Sequence, residues 1–165
     1  MIFIDEIEFQ QQPTYNTCVS ACLAMVLGEP VDLIISEYHD KYWGAGDDKV
    51  WPDEYLESKG VPIVLCNHKT KPDMAGVYFV TVPSLNIKGG THQILWCIEN
   101  AEQEGFFYQR ILDPASGREG KFYYTNIDEL LASDELATKV SGYACDFFIP
   151  KEYFVKSNQI NELQS

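Results

Sequence analysis

Four side chains have the types and spacing for covalent chemistry on a carbonyl: Gln12, Cys18, His92 and Asp113. Cys18 ends a polar, proline-broken lead-in, "QQPTYNT", and opens the apolar run "CVSACLAMVLG". A thiol at the first turn of a helix meets the positive end of the helix dipole and unpaired backbone N–H groups. Both favour thiolate, and the same N–H groups can face an oxyanion formed when a thiolate attacks a carbonyl. Gln12, six residues before Cys18, adds a side-chain amide donor at that point. A base is then required. Of the three histidines, His39 sits in polar "EYHDKY" and His68 in turn-like "CNHKTKPD". His92 instead opens the apolar strand "HQILWCI" straight after "KGGT", where a strand end presents an imidazole to a cleft. The next strand ends in "LDPASG", and antiparallel pairing returns Asp113 to the start of the first, where a carboxylate orients the imidazole.

Each residue has a plainer use. Cys18 and Cys22 are also what a buried helix looks like, and most free cysteines are inert core residues. Cys22, one turn beyond Cys18, is expected to face the core. D-P-x-x-G is a common turn, a strand-end histidine is often only structural, and Gln12 is singled out from three consecutive glutamines by spacing alone. Zinc is the competing use of Cys and His. No C-x-x-C pair occurs among the five cysteines, so no metal and no cofactor are expected.

The elements that must position these residues follow from period and punctuation. Residues 18–27 read as a buried helix, with Thr17 as its cap and Gly28 and Pro30 as its stop. "VDLIISEYHD" reads as an amphipathic helix, "YWGAGDDK" as a Gly-rich loop and "WPDEYLESKG" as a short helix with Pro52 near its start. From residue 61 the period changes. "VPIVLC", "GVYFVTVP", "THQILWCIEN", "FFYQRILDP", "KFYYT" and "GYACDFFIP" read as strands, and residues 2–9 as a further short one. "NIDELLAS" reads as a short helix between the last two. Helices followed by antiparallel strands make an α+β domain. One domain over residues 1–155 is expected, with a polar tail over 156–165.

The net charge of −13, with lysines and arginines scattered, argues against nucleic acid as a partner and against anionic membranes. No segment resembles a signal-peptide core or a membrane span, so a cytoplasmic protein with reduced thiols is expected.

"QQPTYNTCVSACLAMVLG", "GGTHQILWCIE" and "ILDPASG" together resemble the papain-like cysteine peptidase superfamily, most of all the bacteriocin-leader-processing peptidase domains. The likeness runs from about residue 9 to about residue 125. It implies a papain-like fold, helices packed on an antiparallel sheet, and a protein or peptide substrate. It also implies a Cys18–His92–Asp113 triad with Gln12 completing the oxyanion hole. Val19 stands where that family usually has glycine. Proteolysis, deamidation, transglutamination and isopeptide cleavage all use these parts. The other reading is a papain-like binding module without turnover, docking a protein through its acidic surface.

Overall fold

The computed structural model describes residues 7–42, 49–101, 106–124 and 137–154. A helix, α1 (Cys18–Leu27), starts the ordered core. Its residues from Val19 to Val26 are all buried, because small and aliphatic side chains cover every face. Gly28 ends it at φ 66°, a left-handed conformation that costs glycine little, and its N–H closes on the Ala24 carbonyl. The Gln10 amide then fastens the turn into the next helix. Its Nε2 donates to the Glu29 carbonyl at 2.7 Å and its Oε1 accepts from the Val31 N–H at 2.9 Å.

That next helix, α2 (Val31–Tyr42), contains a π-helical turn at Ile35–His39. It buries Ile34 and Tyr38 against α1, and the Tyr38 hydroxyl donates to the Val50 carbonyl. α3 (Pro52–Ser58) has Pro52 in its first turn, where a missing N–H costs nothing. The amphipathic and proline-led patterns thus yield the expected helices.

Five strands form one antiparallel sheet: β1 (Val64–Leu65), β2 (Gly76–Pro83), β3 (Thr91–Ala101), β4 (Phe106–Leu112) and β7 (Ala144–Pro150), in the order β1-β7-β2-β3-β4. Two further strands, β5 (Phe122–Tyr124) and β6 (Ala137–Lys139), pair in parallel beside it. Alternation along the strands divides the core. Val77, Phe79, Leu95, Cys97 and Ile149 meet the helices on one face. Tyr78, Val80, Ile94, Ile98 and Phe148 pack together on the other. Each fully buried side chain of this size contributes on the order of 2 kcal/mol, so α1 is held firmly over the sheet.

The α+β class and the antiparallel sheet are as expected. Three readings need correction. Residues 7–9 are not a strand, since the Ile7 carbonyl accepts from the Arg110 guanidinium at 3.0 Å rather than from a neighbouring backbone. "VPIVLC" supplies only two strand residues, because the Val61 N–H turns back to the Leu56 carbonyl and Pro62 has none to give. The parallel β5–β6 pair was not foreseen, "ATK" having little strand character. The "NIDELLAS" helix, the tail 156–165, residues 2–6 and most of the Gly-rich loop lie outside the described residues. Among those described, no single helix is long and apolar enough to cross a membrane.

Candidate active site

Cys18 is the first residue of α1 and is partly exposed. Thr17 does not cap the helix with its side chain. Its hydroxyl is engaged one turn upstream, donating to the Thr14 carbonyl and accepting from the Thr14 N–H, both at 3.1 Å. The expected cap is therefore corrected, for a physical reason: Thr14 offers two local partners, and a hydroxyl bound to both cannot also reach the helix. The N–H groups of the first turn are left uncapped beside the thiol.

One turn on, the buried Cys22 thiol donates to the Gln93 carbonyl at 3.6 Å, fixing α1 against the start of β3. Cys18 accordingly comes beside His92: both line the same recess, and the sulfur favours the charged imidazole. β4 runs back along β3 and ends with Leu112 opposite Leu95. The following residue, Asp113, places Oδ1 2.6 Å from His92 Nε2, leaving Nδ1 as the nitrogen available to the thiol.

Asp113 is held from three sides. Oδ1 also accepts from the Ala115 N–H at 2.9 Å, as a D-P-A-S turn provides, and Oδ2 accepts from the Tyr123 N–H at 2.8 Å. The carboxylate is 3% exposed, so it has little freedom to leave the ring. Burial works against the charged imidazole. The hydrogen bond and charge of Asp113, with the neighbouring Cys18 adding to them, outweigh it, and the His92 pKa is pushed up to about 9. The imidazolium is thus the form favoured at neutral pH.

Gln12 borders a recess together with His92 and Asp113, and Cys18 lines the neighbouring one that also reaches His92. The Gln12 backbone N–H donates to the Pro114 carbonyl at 2.9 Å, which ties it to the turn carrying Asp113. Its side-chain Nε2 donates to the Thr14 carbonyl at 2.9 Å, and Oε1 is buried with no hydrogen-bond partner. A primary amide has two N–H groups, so the Thr14 bond uses one of them. The neighbouring glutamines are otherwise employed. Gln10 fastens the α1–α2 turn, and Gln11 Nε2 donates to the Ser116 carbonyl at 3.1 Å.

Two recesses flank His92. A shallow one of about 90 Å³ is bordered by Gln12, Tyr15, Asn86, Asp113 and Arg118. A deeper one of about 340 Å³ has Cys18, Val19, Trp51, Leu65 and Phe147 among its walls. Val19 is buried, packing into the core as it forms part of that wall. His39 lies in the π-turn and His68 in an exposed loop, and His92 is the histidine that Cys18 meets. Among the described residues, no three His, Cys, Asp or Glu side chains are grouped to hold a metal.

The remaining thiols occupy different surroundings. Burial raises the pKa of Cys22, Cys66, Cys97 and Cys145, the last two to about 12. Native alkylation with iodoacetamide, read by peptide mass spectrometry, is expected to modify Cys18 first and the half-buried Cys66 next. Cys66 ahead of Cys18, or equal rates at all five, would contradict the assignment of Cys18 as the activated thiol.

Two features of the site were invisible in the sequence. Tyr123 serves Asp113 through a backbone N–H, which no residue type announces. Asp146 reaches the deeper recess only because of an irregularity in β7. Comparison with protein-family models, with curated proteins and with solved structures finds no match to this chain.

Proposed function

We propose that this protein is a thiol-dependent acyl-transfer enzyme acting on amides. More particularly, it is a papain-like cysteine peptidase, of the kind its "QQPTYNTCVSACLAMVLG" segment resembles. The observation that carries the reading is the convergence on one imidazole: Asp113 at 2.6 Å on Nε2, and the Cys18 thiol from the uncapped helix start.

In this mechanism the Cys18 thiolate attacks the amide carbonyl carbon, and the carbonyl π electrons move to oxygen. The Cys18 backbone N–H and the second Gln12 amide N–H hold that oxyanion. As it collapses, the C–N bond breaks and the His92 imidazolium gives its proton to the departing amine. A thioester to Cys18 remains. His92, now neutral, takes a proton from water as the water attacks the thioester, and the acid product leaves with the thiolate restored. Asp113 holds the ring in the orientation both proton transfers need.

The direct test is to trap the thioester. Brief exposure to a peptidyl p-nitrophenyl ester, quenched in acid, is expected to add one acyl mass at Cys18. The adduct should be absent in Cys18→Ala. Acylation at another residue, or at none, would defeat the proposal.

Gln12 gives a separate expectation. Gln12→Ala should lower amide turnover by roughly 10²-fold, the scale for losing one oxyanion donor. Cys18 alkylation by iodoacetamide should hardly change, because that reaction develops no carbonyl oxyanion. Gln10→Ala is the fitting control. It removes the clamp on the α1–α2 turn and should lower the melting temperature with little selective effect on turnover. Equal turnover losses in the two variants would show that Gln12 acts through packing.

A further inference from the structure

The deeper recess beside Cys18 combines carboxylates with apolar walls. Trp51 and Leu65 stand at it 54% and 70% exposed, large apolar groups left open to solvent, and the buried Phe147 lines it too. Asp146 and Asp53 also line it. Asp146 arrives there through a β-bulge. Phe79 pairs with Phe147 and Val80 with Cys145, so Asp146 is the extra, unpaired residue of β7. A bulge re-aims a side chain that regular alternation would send elsewhere. The structure secures this one: the Cys66 N–H donates to the Asp146 carbonyl at 3.1 Å. On the side chain, the Thr81 hydroxyl donates to Oδ2 at 2.6 Å and the Gln93 amide to the same oxygen at 3.5 Å. Among the described residues both side-chain donors go to Oδ2, and Oδ1 receives none.

Among the described residues no ion pair to Asp146 or Asp53 is seen, while the Lys49 ammonium lies 4.3 Å over the Trp51 ring at the rim. We propose that this recess is a specificity pocket for a substrate residue with a long apolar stem and a cationic end, lysine or arginine, next to the amide attacked by Cys18. The stem lies along Trp51, Leu65 and Phe147, and the cation meets the open Oδ1 of Asp146 with Asp53 nearby. The inference rests on the hydrolytic reading for its account of why the residue is there. Long basic side chains suit such a pocket because their methylene stems cover apolar surface while the charged end finds a carboxylate. Burial, with the charge of Asp53 adding to it, raises the Asp146 carboxyl pKa against the pull of its two hydrogen bonds, and a bound cation offsets both. A hydrated metal ion fits poorly against an indole and a leucine.

The experiment compares fluorogenic peptide amides identical but for one residue at either of the two positions before the reporter. That residue is lysine, arginine, norleucine or glutamate. Lysine and arginine are expected to exceed norleucine in kcat/KM by about tenfold or more, the worth of one charge-assisted hydrogen bond, and glutamate to be worst. Asp146→Asn should bring the ratio of lysine to norleucine kcat/KM down to about one. Asp53→Asn, at a half-buried position in the first turn of α3, should reduce the same ratio in part, and serves if Asp146→Asn does not fold. The same peptides titrated into Cys18→Ala by calorimetry separate the pocket from the chemistry. If Cys18→Ala binds the lysine peptide in preference to norleucine but the wild type cleaves neither, the pocket stands and the hydrolytic reading falls. If the wild type cleaves lysine and norleucine peptides equally, or its preference for lysine survives both substitutions, the pocket proposal is overturned and the hydrolytic reading stands. Equal binding of the two peptides by Cys18→Ala also overturns it.

Discussion

Cys18→Ala is expected to remove amide turnover, by on the order of 10⁴-fold or more, while leaving the fold in place. Alanine is the strongest helix former and Cys18 is only partly buried, so α1 loses little. The loss is chemical. Without the thiol no thioester forms, and what survives is water attack assisted by the oxyanion donors alone. Cys18→Ser is the sharper variant, since it keeps the volume and a hydroxyl at the same place. An alcohol beside an imidazolium is a far poorer nucleophile than a thiol, so serine should approach alanine in activity. Turnover within about tenfold of wild type in Cys18→Ser would show that a group other than the Cys18 sulfur attacks.

His92→Ala should cost roughly 10³- to 10⁴-fold in kcat/KM, because it removes both the partner of the thiolate and the proton donor to the leaving amine. The pH dependence carries more information than the loss. With the His92 pKa near 9, kcat/KM is expected to fall on the alkaline side as the imidazolium deprotonates. Asp113→Asn should move that limb to lower pH, since the hydrogen bond and charge of Asp113 help to hold it up. A limb that stays put in Asp113→Asn would separate Asp113 from the ionisation of His92. The same shift has a signature in stability. A histidine raised from 6.5 to about 9 on folding stabilises the native state fully below its unfolded value. That contribution disappears as pH climbs through about 9, and its size is on the order of 3 kcal/mol. The stability gap between wild type and His92→Gln in urea titrations should therefore close between about pH 6 and pH 10.

Cys18, His92 and Asp113 were legible in the sequence because each sits at a boundary with a strong local signal. Cys18 marks the step from polar lead-in to apolar helix, His92 the step from "KGGT" into an apolar strand, and Asp113 the start of a D-P-x-x-G turn. Boundaries of secondary structure are where side chains leave the core and face a cleft. Gln12 was singled out by spacing, but its hydrogen bonds to Pro114 and Thr14 depend on how the lead-in crosses the Asp113 turn, which no local pattern encodes. Gln11, which the spacing passed over, bonds the Ser116 carbonyl in that same turn. Thr17 looked like a cap because capping is read from residue type, and the competing partner, Thr14, is equally local. Asp146 was out of reach for another reason. "ACDFFIP" has the aromatic and β-branched content of a strand, and only the pairing with β2 shows the bulge that swings the carboxylate into the recess.

The central claim is that Cys18 and His92 form one reactive unit, and labelling with a peptidyl electrophile tests it most directly. Wild type and His92→Ala are treated with a substoichiometric peptidyl chloromethyl ketone at neutral pH, and the modified residue is located by tandem mass spectrometry. The account predicts one adduct, on Cys18, in the folded wild-type protein, and its disappearance in His92→Ala. Labelling of Cys18 at the same rate in both proteins, or labelling of Cys66 ahead of Cys18, would contradict it.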